Sequence, residues 1–128
     1  MSTRNVVLSA ALFCQVMVAA QAYAQDASAV SGGKEVFGLK CAPCHAAGPA
    51  DRGRGMLPGT DALRIKYQGK VPAELERRSD LPAPLLQQYL RHGAWSMPPF
   101  RKSELSDADI VNIAAYLTES SKTAGKAP

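Results

Sequence analysis

The sequence predicts an all-α fold, a small single domain built from helices at the two ends of the chain with short helical pieces between them. Three observations predict it. Ile110, Ile113, Ala114 and Leu117 recur at helical spacing behind Ser106 and Asp109, a capping-box-like pair. Gly33, Phe37 and Cys41 follow at four-residue intervals, which aligns a small residue, an aromatic ring and a thiol on one helix face. No segment alternates apolar and polar residues as a half-buried strand does, and there is no internal repeat or heptad pattern.

In chain order, the first 24 residues read as a cleaved secretory leader. Arg4 precedes the apolar run Val6 to Ala20, and the small-residue site Ala22-Tyr23-Ala24 follows it. The run falls short of the roughly 20 residues needed to span a bilayer as a helix, so stable membrane insertion is not expected. The domain proper then covers residues 25–120. Ser31 is expected to cap a short first helix leading through Phe37 to Cys41. Residues 46–60 read as loop, followed by short helical stretches near Ala62 to Tyr67, Ala73 to Arg78 and Pro84 to His92, which Pro72, Pro82 and Pro84 keep short. The last helix starts at Ser106, and residues 121–128 read as a flexible tail.

Composition narrows the function classes. Of 128 residues, 15 are Lys or Arg and 11 are Asp or Glu, and removing the leader with Arg4 leaves 104 residues with a formal charge of +3. That balance is too mild for a nucleic-acid binder, and Arg52-Gly53-Arg54 is too brief for a phosphate-tracking stripe and carries no interleaved aromatic residue. A domain of this size builds only a modest apolar core, which a large buried cofactor would supplement.

The cysteines are more informative. Discarding the leader removes Cys14 and leaves two, both inside Cys41-Ala42-Pro43-Cys44-His45. C-x-x-C-H is the attachment pattern of a c-type haem: two thiols form thioethers to the porphyrin vinyl groups, and the adjacent histidine binds the iron from below. The spacing carries the geometry, because one tight turn presents both sulfurs to neighbouring pyrrole edges and delivers the imidazole beneath the ring. The rival chemistries are a thioredoxin-like dithiol, a zinc site using Cys41, Cys44, His45 and His92, and a plain Cys41 to Cys44 disulfide. The first wants a βαβ context and the second a paired-histidine spacing, and neither is present.

An iron held by His45 leaves one axial position. Candidates are Met97, Met56 and His92. Met97 opens Met97-Pro98-Pro99-Phe100, where consecutive prolines stiffen the loop, and the 52 residues after His45 suffice for the chain to return on the opposite haem face. Met56 follows too soon, and His92 is explained as a helix-end cation before Gly93. An open iron site remains the alternative that would permit peroxide or gas binding. No residue is assigned a catalytic role.

With the attachment motif, the late Met-Pro-Pro-Phe and the two terminal helices, residues 25–120 resemble the class I c-type cytochromes. The resemblance implies terminal helices crossing over one covalently bound haem c. It also implies a contact from Ile113 and Tyr116 to the first helix, and a Pro58 carbonyl accepting the Nδ1 proton of His45, which would orient that ring. The longer region Leu57 to Leu81 is similar to the cytochrome subunit of p-cresol methylhydroxylase-type flavocytochromes. The expected function is therefore a periplasmic electron carrier, with iron cycling between ferric and ferrous states between a protein donor and acceptor. Arg101 and Lys102 are candidates for steering an acidic partner. The alternatives are a dedicated electron-accepting subunit of a flavin-dependent phenol or aromatic-alcohol dehydrogenase, and a small haem peroxidase or gas-binding protein with an open axial site.

Overall fold

The computed structural model describes residues 26–46, 48 and 56–125; the expected leader lies outside them. Every regular element in the described residues is helical, and the one bridge is an isolated antiparallel pairing of Ala94 with Met97. Helix α1 occupies residues 26–40, α2 is the single turn Ala42–His45, α3 is Pro58–Tyr67, a 3₁₀ turn covers Leu75–Arg77, α4 is Ala83–His92 and α5 is Asp107–Ala124.

The first helix is longer than expected. Ser31 lies within α1 and not at its cap, and its Oγ donates to the Ser28 carbonyl at 3.0 Å. A hydroxyl bonded back one turn is compatible with a helix interior, which is why a cap-type residue did not mark a boundary here. At the other end the capping box is realised: Ser106 Oγ accepts from the Asp109 amide at 3.1 Å, and the Asp109 carboxylate accepts from the Ser106 amide at 2.8 Å. The expected flexible tail from residue 121 also needs correction. α5 continues to Ala124, sustained by Ser121 Oγ donating to the Thr118 carbonyl, a Lys122–Glu119 ion pair and a stop at Gly125. Residues 126–128 lie outside the described set.

Helix α1 crosses α5 at Gly33. A Cβ there would stand 1.9 Å from the Asn112 carbonyl oxygen and 2.9 Å from Tyr116 Cβ, so only a residue without a side chain permits this approach. Phe37, one turn on, reaches the ring of Tyr116 at 5.4 Å between centroids, tilted by 51°. Beneath this crossing lies the apolar core, in which Phe37, Leu105, Ile110, Ile113 and Leu117 are the deepest, joined by Leu86 and Leu90 from α4 and by Cys41. Burying five such side chains removes apolar surface at about 1.5–3 kcal/mol each. The crossing therefore carries much of the fold's stability.

The middle of the chain is fastened by polar contacts. The Tyr116 hydroxyl donates to Glu76, which draws the 3₁₀ turn onto α5. Arg78, nearly fully buried, makes a two-pronged pair with Asp80 at 2.8 and 2.6 Å and lies 4.8 Å from the Tyr67 ring centroid. A buried guanidinium needs such partners, since an unpaired one would carry the full desolvation cost.

Candidate functional site

The C-x-x-C-H segment folds as one helical turn directly after α1. The amides of Cys44 and His45 both donate to the Cys41 carbonyl, at 3.1 and 2.9 Å, and Cys41 donates back to Phe37 at 2.9 Å. Pro43 sits in the first turn of α2, where a missing amide proton removes no helical bond. Both thiols are free; Cys41 is buried in the core and Cys44 is exposed. Burial pushes the Cys41 thiol up to about 11, with the neighbouring Cys44 adding to the shift.

Pro58 and Gly59 begin α3 beside this turn. Gly59 packs so closely on His45 that a Cβ would lie 2.6 Å from the ring Cε1 and 2.8 Å from Nδ1. Thr60, with no exposed surface, donates its hydroxyl to the Ala46 carbonyl at 2.9 Å and approaches the Cys44 carbonyl at 3.4 Å. These two residues, which sequence reasoning passed over as loop, tie α3 to the motif. Their signal was their adjacency to Pro58, since proline favours the first turn of a helix and so marks Gly59 and Thr60 as helical.

His45 Nδ1 is buried with no hydrogen-bond partner among the described residues. The Pro58 carbonyl expected to accept from it does not do so. Pro58 is the first residue of α3, where helical geometry directs its carbonyl along the axis toward the amide four residues on. Pro58 instead starts the helix that brings Gly59 against the ring. Burial also depresses the His45 pKa below the ordinary imidazole value, favouring the neutral ring, the form that ligates a metal.

Met97 stands on a braced loop. Ala94 and Met97 exchange backbone hydrogen bonds at 3.0 and 2.9 Å, and Gly93 turns the chain at φ 73° with the Met97 carbonyl oxygen 2.7 Å from where a Cβ would stand. Farther on, the Phe100 amide donates to Leu90 at 2.7 Å, and Arg91 holds the Phe100 carbonyl at 3.1 Å and Asp107 at 2.7 Å. The thioether is half-buried and packs on the same core that holds Cys41. His92 is exposed at the end of α4 with its Nδ1 2.9 Å from the Gln88 carbonyl, in keeping with a helix-end role, and Met56 is exposed. Among the described residues no three His, Cys, Asp or Glu side chains gather as a metal-binding group, so the zinc set Cys41, Cys44, His45 and His92 is not assembled.

The donor set fits a covalently attached haem. Two free thiols share one helical turn, the adjacent imidazole is half-buried, with a shielded Nδ1 that has no partner among the described residues, and a soft thioether is held on a braced loop packed against the same core. Arg101 and Lys102 are less free to steer than the sequence suggests: Arg101 pairs with Glu104 at 3.0 Å and Lys102 with Asp107 at 2.8 Å.

A family model described as cytochrome c oxidase, cbb3-type, subunit III matches residues 28–117. Among curated proteins, cytochrome c6 of Picosynechococcus sp. is 34% identical over 98 residues, covering 77% of this chain and 76% of that protein. Neither match is a flavocytochrome, and the resemblance to the p-cresol methylhydroxylase cytochrome subunit gains no support from them. No solved structure matches at a significant level.

Proposed function

This chain belongs to the class I c-type cytochromes, electron-transfer proteins that carry a covalently bound haem c, and we propose that Cys41 and Cys44 form its thioethers while His45 and Met97 are its axial ligands. The bound haem supplies the couple between ferric and ferrous iron that takes up and releases one electron. The observation that supports the assignment is the single helical turn that presents both free thiols and the half-buried His45 ring together.

The chain's own residues do the rest. The α2 turn fixes sulfurs and imidazole together, so orientation costs no further ordering when the group is attached. Gly59 lets α3 close against the imidazole, and Thr60 locks that contact by holding the Ala46 carbonyl. The braced Met97 loop would offer its thioether to a bound haem and so deny water and other small ligands access to the iron. Met/His ligation also raises the potential relative to two imidazoles.

We place the carrier in the periplasm, exchanging single electrons between a protein donor and a protein acceptor. The leader-like residues 1–24 support the location. A flavoprotein dehydrogenase is the narrower donor, and co-purification with one distinguishes a dedicated subunit from a diffusing shuttle. Replacing Met97→Ala tests the ligand assignment. It should abolish the sulfur-to-iron absorption band at the red end of the ferric spectrum, lower the potential and admit carbon monoxide to the ferrous protein. Survival of the band would place the ligand elsewhere. Rapid carbon monoxide binding by the unmodified protein at neutral pH would favour the gas-binding alternative.

A further inference from the structure

The segment that carries Met97 is poor in hydrogen-bond donors. Pro98 and Pro99 have no amide proton, so after the Met97 amide, which donates to Ala94, the next backbone donor is Phe100. Upstream the segment is closed by the exchange between Ala94 and Met97; downstream it is fastened at Phe100. Both backbone groups of Phe100 go to the end of α4. Its amide donates to the Leu90 carbonyl at 2.7 Å, and its carbonyl accepts from Arg91 Nη1 at 3.1 Å.

Arg91 reaches that carbonyl from the last turn of α4 with a side chain only 14% exposed. Its other terminal nitrogen donates at 2.7 Å to Asp107, the first residue of α5. One guanidinium thus joins α4, the Met97 segment and α5. The pair with Asp107 is not what calls for this residue. Lys102 donates to the second Asp107 oxygen at 2.8 Å, so the carboxylate keeps a cation without Arg91. The Phe100 carbonyl has no such reserve, since Arg91 is its one hydrogen-bond donor among the described residues. A planar fork of separate nitrogens serves acceptors on two elements at once, which a single ammonium does not.

We infer that Arg91 is a positioning residue for the proposed iron ligand: by holding the Phe100 carbonyl it fixes the downstream end of the Met97 segment and so governs how often the thioether leaves its place. The inference rests on the Met97 assignment above. A hydrogen bond from a charged donor is stronger than a neutral one, and this one acts on a short piece of chain. Its loss opens that piece locally while the crossing of α1 with α5 stays shut.

The test uses the full holoprotein. Imidazole takes the place of a methionine on ferric iron only once the thioether has left, so its saturating binding rate in stopped flow reads the opening of the segment. Amide hydrogen exchange in the ferrous protein reads the same opening at Phe100, with Ile113 in α5 as the core reference. Arg91→Met keeps the apolar stem and removes the donors; it should raise the imidazole rate and Phe100 exchange by roughly tenfold or more and leave Ile113 exchange within about threefold. Arg91→Gln, neutral and too short to bridge both acceptors, should raise the first two by about threefold or more, and is the variant to read if Arg91→Met does not fold. Asp107→Asn leaves the guanidinium on Phe100 and should change each reading by no more than about threefold. Arginine variants with unaltered rates overturn the inference. Equal acceleration at Phe100 and Ile113 also overturns it, because Arg91 would then support the whole fold, and so does Asp107→Asn matching Arg91→Met, which would assign the effect to the ion pair. A ferric spectrum of the unmodified protein without the sulfur-to-iron band would instead sink the Met97 assignment, and Phe100 exchange would still decide whether Arg91 holds the segment.

Discussion

Two glycines in one helix should respond oppositely to the same substitution. At Gly33, the methyl of Gly33→Ala would lie 1.9 Å from the Asn112 carbonyl oxygen and 2.5 Å from its carbon, where ordinary contact begins at 3.4 Å. Both atoms are α5 backbone, so no rotamer change relieves the overlap, and α1 and α5 must part by about 1.5 Å. A gap of 0.5–1 Å already forfeits a quarter to a half of each dispersion contact, and Phe37, Ile113 and Leu117 all lie near this crossing. Such overpacking costs about 3 kcal/mol, and the better helix propensity of alanine returns about 0.5–1 kcal/mol. The net loss is about 2–2.5 kcal/mol, or roughly 8–20 °C in melting temperature for a domain near 100 residues. At Gly38 a Cβ meets nothing within 4 Å, so Gly38→Ala keeps only the propensity gain and should be more stable by about 0.5–1 kcal/mol. Guanidinium unfolding of the holoproteins followed by circular dichroism measures both. Equal stability of the two variants would refute the close crossing and with it the packing account of the fold.

Two further outcomes follow from the site and from the last helix. Gly59→Ala would drive a methyl into the His45 ring and the Cys44 carbonyl, so it should weaken haem retention and disturb the ferric spectrum; an unchanged spectrum with full haem content would show that α3 does not support the imidazole. Ser106→Ala should cost about 1 kcal/mol through loss of the helix cap. Hydrogen bonds from Ser106 hold the Asp109 pKa below the usual range, those from Arg78 do the same for Asp80, and those from Lys102 and Arg91 for Asp107. A depressed folded-state pKa gives stability that is complete above the unfolded value near 3.9 and lost as pH falls through the folded ones. Unfolding should therefore steepen below about pH 4, and Asp109→Asn should flatten that limb; an identical acid limb in the variant would show that Asp109 carries none of it.

The parts of the fold readable from the chain are those whose signal is local. Ser106 and Asp109 specify their cap within four residues, and the C-x-x-C-H spacing needs one turn of backbone to express its chemistry. Boundaries failed where local cues were ambiguous. Ser31 is a cap-type residue whose hydroxyl also bonds within a helix, and Ser121 and Thr123 look like tail yet bond back to α5. Thr60 and Gly59 were passed over because their importance depends on Cys44, His45 and Ala46, some 14–16 residues away, not on their neighbours.

By itself, then, the sequence determined the helical class, the proposed donor set of Cys41, Cys44, His45 and Met97, and the prolines after the methionine, because each is read from residue type and spacing. The tertiary structure decided the rest: that Gly33 allows two helices to touch, that His45 Nδ1 has no partner among the described residues and has Gly59 against its ring, that Arg101 and Lys102 are paired, and that Trp95 is exposed. These depend on which distant groups meet. Close packing and charge pairing fix those meetings only when the whole chain has folded.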